Sequence, residues 1–169
     1  MLEKPVPDWP GWYAREDGQI RNGEIIVTGS PTKAGHLCFK ARKGHWKYGY
    51  TQWVHRFVAK TWVLNPRPDI FTVVDHIDRN PQNNDCTNLR WVTQGLNLLN
   101  NGARNAYFHR RTGKWRVRVK GIDFGWFKNE NDAIAHGQLC KKKLFEEIYV
   151  AHLNEPRTRL CGEDLPTTQ

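Results

Sequence analysis

The sequence has no apolar run long enough to cross a bilayer, and its opening residues, MLEKPVPDWPGW, hold no signal-peptide core. The expectation is a soluble, intracellular protein that is not secreted, in the cytoplasm of a host cell. Cysteine is scarce. Cys38, Cys86, Cys140 and Cys161 stand far apart, with no CxxC pair to supply half of a zinc site, and are read as reduced thiols. Acid is also short, with 17 Asp plus Glu against 26 Lys plus Arg, a net charge of +9 and a pI near 9.6. A polyanion is therefore the first partner to consider, nucleic acid before an anionic membrane surface. What the chain has in plenty is tryptophan, eight in 169 residues. Such side chains fill small cores or stack on bases, and core packing is the weightier reading. A mean hydropathy of -0.74 describes a polar surface, but aromatics throughout the first 150 residues argue against general disorder.

The length permits one domain or a few small modules, so organisation must come from patterns. Residues 9–53 are strand-like, with EIIV and HLCFKAR punctuated by Asp17-Gly18 and Asn22-Gly23, which predicts hairpins. In HLCFKAR, Leu37, Phe39 and Ala41 alternate with Cys38, Lys40 and Arg42. The basic face, extended by Lys43, His45 and Lys47, is either solvated or a phosphate contact. Val54, Phe57, Val58, Thr61 and Trp62 recur at helical spacing and predict a short helix ending before Asn65-Pro66. His55 and Arg56 ride on it, with structural and catalytic roles both open. FTVVD then predicts a strand, HIDRNPQNNDCTN a polar loop, LRWV a second strand, and Thr93 an N-cap for QGLNLLNN. After Asn101-Gly102, basic strands precede a helix predicted over residues 130–147, and residues 156–169 are read as a loose tail.

Phosphodiester hydrolysis needs an activated water, a cation on the phosphate, and ligands that leave the cation an open side. His76 is the candidate general base, because an ordinary imidazole titrates near neutrality, at about 6.5. Asp75 offers a hard anionic oxygen for Mg²⁺ or Mn²⁺, and Asn97, one turn into the following helix, an amide oxygen as second ligand. Adjacent strand residues point to opposite faces, so Asp75 and His76 are expected to share a cleft through a bend in the chain. Asn88 is the candidate for tying the loop down. Residues alone leave a purely structural Asp-His pair open.

VHRFVAKTW followed by VVDHIDRNPQNNDCTNLRWVTQGLN resembles the HNH homing endonucleases of the ββα-metal type. That resemblance implies His76 as the general base, Asp75 as a metal ligand, Asn88 as the structural asparagine, and Asn97 at the third signature position. Many of these enzymes carry histidine there, so the sequence is similar to the His-Asn-Asn subgroup of phage and intron type, which includes strand-nicking enzymes. An Asp/Asn oxygen pair suits one Mg²⁺ or Mn²⁺ ion per active site, and no zinc is expected. The hairpins WYAREDGQIRN and AGHLCFKARKG resemble the β-rich N-terminal module of phage HNH homing enzymes.

Further on, HRRTGKWRVRVK holds six Lys or Arg and no acid in twelve residues. On a strand, Lys114, Arg116, Arg118 and Lys120 share one face and Trp115, Val117 and Val119 the other. Ala133, Gly137, Cys140, Leu144 and Ile148 line one side of a helix that can cover the apolar face, with Gly137 permitting close approach. The stretch from YFHRRTGKW to YVAHLN resembles the ethylene-response-factor (Apetala-two) type DNA-binding domain, which implies DNA contacts from Arg110, Arg111, Lys114, Arg116, Arg118 and Lys120. Lys40 and Arg42 are further DNA-binding candidates. Trp115 is read as core, Trp126 as core or contact.

The fold expected is α+β, with a β-rich N-terminal module at 1–50, a ββα-metal HNH unit at 51–102, a three-stranded sheet plus helix at 103–155 and a tail at 156–169. The function expected is a metal-dependent, site-specific DNA endonuclease of homing type acting on double-stranded DNA, a monomer that nicks. The alternatives are a DNA-binding regulator with a degenerate nuclease core and an RNA-processing or RNA-binding protein, which fits the charge and aromatics.

Overall fold

The structure is a computed structural model that describes residues 2–42 and 49–156. Lys43, His45, Lys47 and nearly all of the expected tail lie outside the described residues. The architecture is α+β. Four short strands, β1 (Glu3–Pro5), β2 (Trp12–Arg15), β3 (Ile20–Asn22) and β4 (Ile25–Val27), pair in sequence order as an antiparallel sheet. A second antiparallel sheet joins β5 (Ser30–Pro31), β6 (Leu37–Ala41) and β7 (Tyr50–Trp53). Helix α1 (Val54–Trp62) follows without a break and buries Val54, Phe57, Val58 and Ala59, the face its spacing predicts.

These elements share one core. Trp12, Ala14 and Ile20 from the first sheet, Phe39 and Ala41 from the second, and the α1 face meet Val74 and Leu89 from further along the chain. Phe57 lies 5.1 Å from Trp9 and Phe39 and 6.1 Å from Trp12, centroid to centroid. Three tryptophans place their rings in or against this core and still satisfy the indole N–H: Trp12 donates to the Arg42 carbonyl, Trp62 to Ala14 and Trp91 to Val63.

The centre is a hairpin, β8 (Val73–His76) and β9 (Leu89–Val92), followed by α2 (Gln94–Leu99). Thr93 caps α2 as expected, its hydroxyl accepting from the Leu96 amide at 3.1 Å. Then come β10 (Ala106–His109), β11 (Lys114–Val119) and β12 (Ile122–Phe127), a three-stranded antiparallel meander, and α3 (Glu130–Asn154), about two turns longer than predicted. Gly137 lets α3 approach closely, since a Cβ there would sit 3.3 Å from the Arg104 carbonyl and 3.4 Å from Val117. A second core joins Phe71, Val92, Leu96 and Leu99 to Val119, Cys140 and Phe145, so α3 packs against the hairpin as well as its own sheet. The buried Arg67 guanidinium fixes the far end of α3, donating to the His152 and Glu155 carbonyls at 2.7 and 2.8 Å while pairing with Asp69. The three described cysteines form no disulfide.

Candidate active site

Strand β8 pairs with β9 in unbroken register through His76, with Asp75 opposite Arg90 and His76 opposite Leu89. The bend expected between Asp75 and His76 is absent, and the two side chains leave opposite faces of the hairpin. Val74 joins the α1 core and His76 meets histidines on that side, whereas Val73 joins the α3 core and Asp75 meets Arg90, whose guanidinium lies 3.8 Å from the Phe145 ring centre. They nevertheless line one cavity of about 490 Å³, because β8 has β9 as its one strand neighbour among the described residues and the cavity runs along its other edge. A cleft beside an edge strand is reachable from both faces, so no bend is needed.

Asp75 is 5% exposed and is held by two partners. Arg90 donates to its Oδ2 through Nε at 2.9 Å and a terminal nitrogen at 2.7 Å, and the Asn100 amide lies 3.0 Å from both carboxylate oxygens. Asn100 also donates to the His76 carbonyl at 2.8 Å, so one side chain ties α2 to both residues. Asn97, one turn earlier on α2, lines the same cavity. An amide oxygen and a carboxylate are hard donors, so the residue types at these two lining positions fit Mg²⁺ or Mn²⁺.

His76 is equally buried and has Nε2 3.3 Å from Asn84 Oδ1. Asn84 donates its own amide to the Gln82 carbonyl, which turns its oxygen toward the ring. An amide oxygen only accepts, so this bond puts a proton on His76 Nε2, and in the neutral ring Nδ1 is then the nitrogen with the lone pair. Asn88 braces the same loop from within: its oxygen accepts from the Asp78 amide, and its nitrogen donates to the Asp78 carboxylate and the Asn83 carbonyl, all at 2.9–3.0 Å. Its side-chain bonds are with the loop, not with the His76 ring. The Asn83 amide donating to Asp78 Oδ2 at 2.8 Å is the largest of the bonds that hold the Asp78 carboxyl below its ordinary range, followed by the Asn80 backbone N–H and the Asn88 amide.

The N-terminal strands reach this loop directly. The Glu16 carbonyl accepts from the Cys86 amide at 2.8 Å, and Gly18, at φ +92, is so close to Asn84 that a Cβ would sit 2.8 Å from its side chain. His36 and His55 complete the surroundings of His76, with ring centroids 5.4 and 5.1 Å from it. Burial pushes the His55 pKa down to about 3, reinforced by the nearby His76, His36 and Arg56, and burial likewise lowers His36. Sequence reasoning left the role of His55 open and passed over His36, Asn84, Arg90 and Asn100. Only Asn100 had a sequence signal, three residues from Asn97 on the same face of α2.

The basic candidates lie elsewhere. Arg110 and Arg111 are exposed in the β10–β11 turn. Lys114, Arg116 and Arg118 share the outward face of β11, with Val117 and Val119 buried beneath. Arg116 is bound to Asp123 and lies 5.6 Å from the Trp126 ring, while Arg118 donates to the Gly121 carbonyl. Lys120 falls in the following turn at φ +48 rather than on the strand. Lys40 donates to the Thr51 hydroxyl at 2.7 Å, and Arg42 is exposed beyond β6. Tyr107, Arg116 and Trp126 stand in register across the sheet, and the exposed Trp126 belongs to this outer face.

No helix among the described residues is long and apolar enough to cross a membrane. Residues 71–98 match the family model described as HNH endonuclease. Over 110 residues the chain is 38% identical to DNA endonuclease I-HmuI of Bacillus phage SP01, covering 62% of this chain and 59% of that protein. Over 73 residues it is 36% identical to the uncharacterized HNH endonuclease L245 of Acanthamoeba polyphaga mimivirus, 43% of this chain and 20% of that protein. The chain thus spans between a fifth and three-fifths of these relatives. A solved structure described as DNA binding and cleavage by the HNH homing endonuclease I-HmuI superposes with a TM-score of 0.54 at 24% identity, covering 90% of this chain and 91% of that one. The hairpin and helix that carry Asp75, His76, Asn88 and Asn97 thus lie in the segment that matches the HNH endonuclease family model, in a chain that shares the fold of a solved HNH homing endonuclease.

Proposed function

We propose that the protein is a metal-dependent, site-specific DNA endonuclease of homing type. The observation that carries this reading is the cavity beside β8, which His76, Asp75 and Asn97 all line. Asp75 and Asn97 would hold one Mg²⁺ or Mn²⁺, which when bound neutralises charge on the scissile phosphate and its leaving oxygen. His76 Nδ1 takes a proton from water as the water oxygen bonds to phosphorus and the bond to the 3′ oxygen breaks, leaving a 5′-phosphate end. Asn84 fixes the tautomer and Asn88 the loop, while Arg90 and Asn100 hold the Asp75 carboxylate in place. The outer face of the β10–β12 sheet, with the β10–β11 turn, is the proposed contact to double-stranded DNA, as its ethylene-response-factor resemblance implies; Lys40 and Arg42 would add phosphate contacts. With one such site per chain, a monomer nicks.

The test is a pool of supercoiled plasmids with random inserts, incubated with MgCl2 or with EDTA. Wild type is expected to yield nicked circles in Mg²⁺ and none in EDTA. His76→Ala should lower the rate about 10²- to 10⁴-fold, the usual contribution of a general base, without changing retention in a gel shift. Plasmid that is bound but left intact in both Mg²⁺ and Mn²⁺ would overturn the nuclease reading.

A further inference from the structure

The sequence argues against zinc because its cysteines are scattered and its expected ligands are oxygens. Folding assembles a different donor set. His36 precedes β6, His55 lies in the first turn of α1, and His76 ends β8, yet one ligating nitrogen from each lies within 4.8 Å of the others. The ring centroids form a nearly equilateral triangle with sides of 5.0, 5.4 and 5.1 Å. We propose that His36, His55 and His76 form a binding site for a soft divalent transition ion of the zinc class, and that an ion held there blocks the general base.

Three observations support this. His55 is 6% exposed, and its Nδ1, like that of His36, is buried without a hydrogen-bond partner. A buried ring nitrogen ordinarily finds one, so two donors are left for a ligand. All three rings line the cavity beside β8, which gives an ion a way in and room for a water or phosphate oxygen as fourth ligand. Zinc–nitrogen bonds of about 2.0–2.1 Å in a tetrahedron place the nitrogens about 3.4 Å apart, so small rotations of the rings close the site. Arg56 and Arg79 also line the cavity and oppose a cation, so the three neutral imidazoles must outweigh them. Imidazole selects zinc, copper or nickel over magnesium, so this set and the Asp75/Asn97 oxygens discriminate between ions. Zinc on His76 occupies or displaces the lone pair that the proposed reaction uses, and this inhibitory part rests on the nuclease reading.

Metal-free full-length protein is titrated with ZnCl2 by calorimetry, with excess MgCl2 present throughout, and with Co²⁺ followed by visible absorption. One ion per chain is expected, with a four-coordinate cobalt band. His36→Ala and His55→Ala should each weaken binding at least tenfold, in the range that loss of metal-site interactions commonly produces. Should His55→Ala fail to fold, His36→Ala at the less buried position decides the matter. Absence of stoichiometric zinc, or unchanged binding by folded His36→Ala, overturns the site. In the plasmid assay, zinc should suppress Mg²⁺-dependent nicking by wild type, a chelator should restore it, and His36→Ala should be less zinc-sensitive relative to its own rate. Cleavage that proceeds while zinc is bound overturns the inhibitory role. Zinc binding with no cleavage under any metal supports the site and overturns the nuclease reading alone.

Discussion

The β8–β9 hairpin and the β10–β12 sheet are both small antiparallel ribbons backed by helices, but they present polar groups in opposite ways. In the hairpin, Asp75 and His76 are buried, and each is held by named partners: Arg90 of the facing strand and Asn100 at the end of α2 for one, Asn84 of the connecting loop for the other. In the sheet, Lys114 and Arg118 are exposed, and the groups that restrain Arg116 and Arg118, Asp123 and the Gly121 carbonyl, come from the same meander. A reaction centre needs side chains fixed before substrate arrives, which a buried and satisfied network provides. A surface that meets a long polyanion needs cations at the rim, where each contact is worth little and the sum is large.

That contrast predicts large, local effects in the hairpin and small, additive ones in the sheet. The largest is Asn97→Ala, expected to cut Mg²⁺-dependent nicking about 10²-fold or more while thermal unfolding stays within a degree or two, since the side chain lines the cavity rather than the core. A matching fall in melting temperature would move Asn97 from ligand to scaffold.

Next is Gly18→Ala, remote in sequence but pressed against Asn84 at φ +92. It should cost about 1–3 kcal/mol of stability from backbone strain and crowding, and slow cleavage as the Asn84–His76 bond shifts. Chemical denaturation and nicking rates measured together check this; an unchanged rate would mean that the β2–β3 turn does not position His76.

The third concerns pH. His55 is lowered from an ordinary imidazole value to about 3 by burial and neighbouring charge, and His36 is lowered as well. Between about pH 6.5 and 3 the unfolded chain binds protons that the folded one refuses, so stability is full above that window and is lost as pH falls. Each such proton contributes a slope of up to about 1.4 kcal/mol per pH unit. Melting temperatures from pH 8 to pH 5 should decline, and His55→Gln should flatten the curve. A wild-type curve level across this range would contradict the buried, neutral state of the pair.

The smallest effect per residue belongs to the sheet. Arg116→Ala with Arg118→Ala should weaken DNA binding about tenfold and reduce the salt slope by roughly two, one per phosphate contact, with cleavage of bound DNA little changed. An unchanged slope would return that face to plain solvation.

Local patterns in the sequence carried a good part of this. The α1 face, the LRWV strand, the Thr93 cap and the alternation of β11 are matters of spacing between near neighbours, and neighbours set them. The segment that carries Asp75, His76, Asn88 and Asn97 was also legible through its resemblance to the HNH family, and residues 71–98 match that family's model. Arg90 was hidden: its partnership with Asp75 depends on hairpin register across a loop. The supposed bend between Asp75 and His76 was wrong for a similar reason, since the position of the cavity along an open strand edge is not written in strand periodicity.

By itself the sequence determined the chemistry available: hard oxygens, one well-placed imidazole, a basic strand and too little cysteine for a thiolate metal site. Only the tertiary structure decided which groups meet. It brought His36 and His55 from two other elements against His76, set Gly18 under Asn84, and ran α3 across the hairpin. These contacts span dozens of residues and arise from burying shared apolar cores, a driving force that is proportional to area and blind to sequence distance.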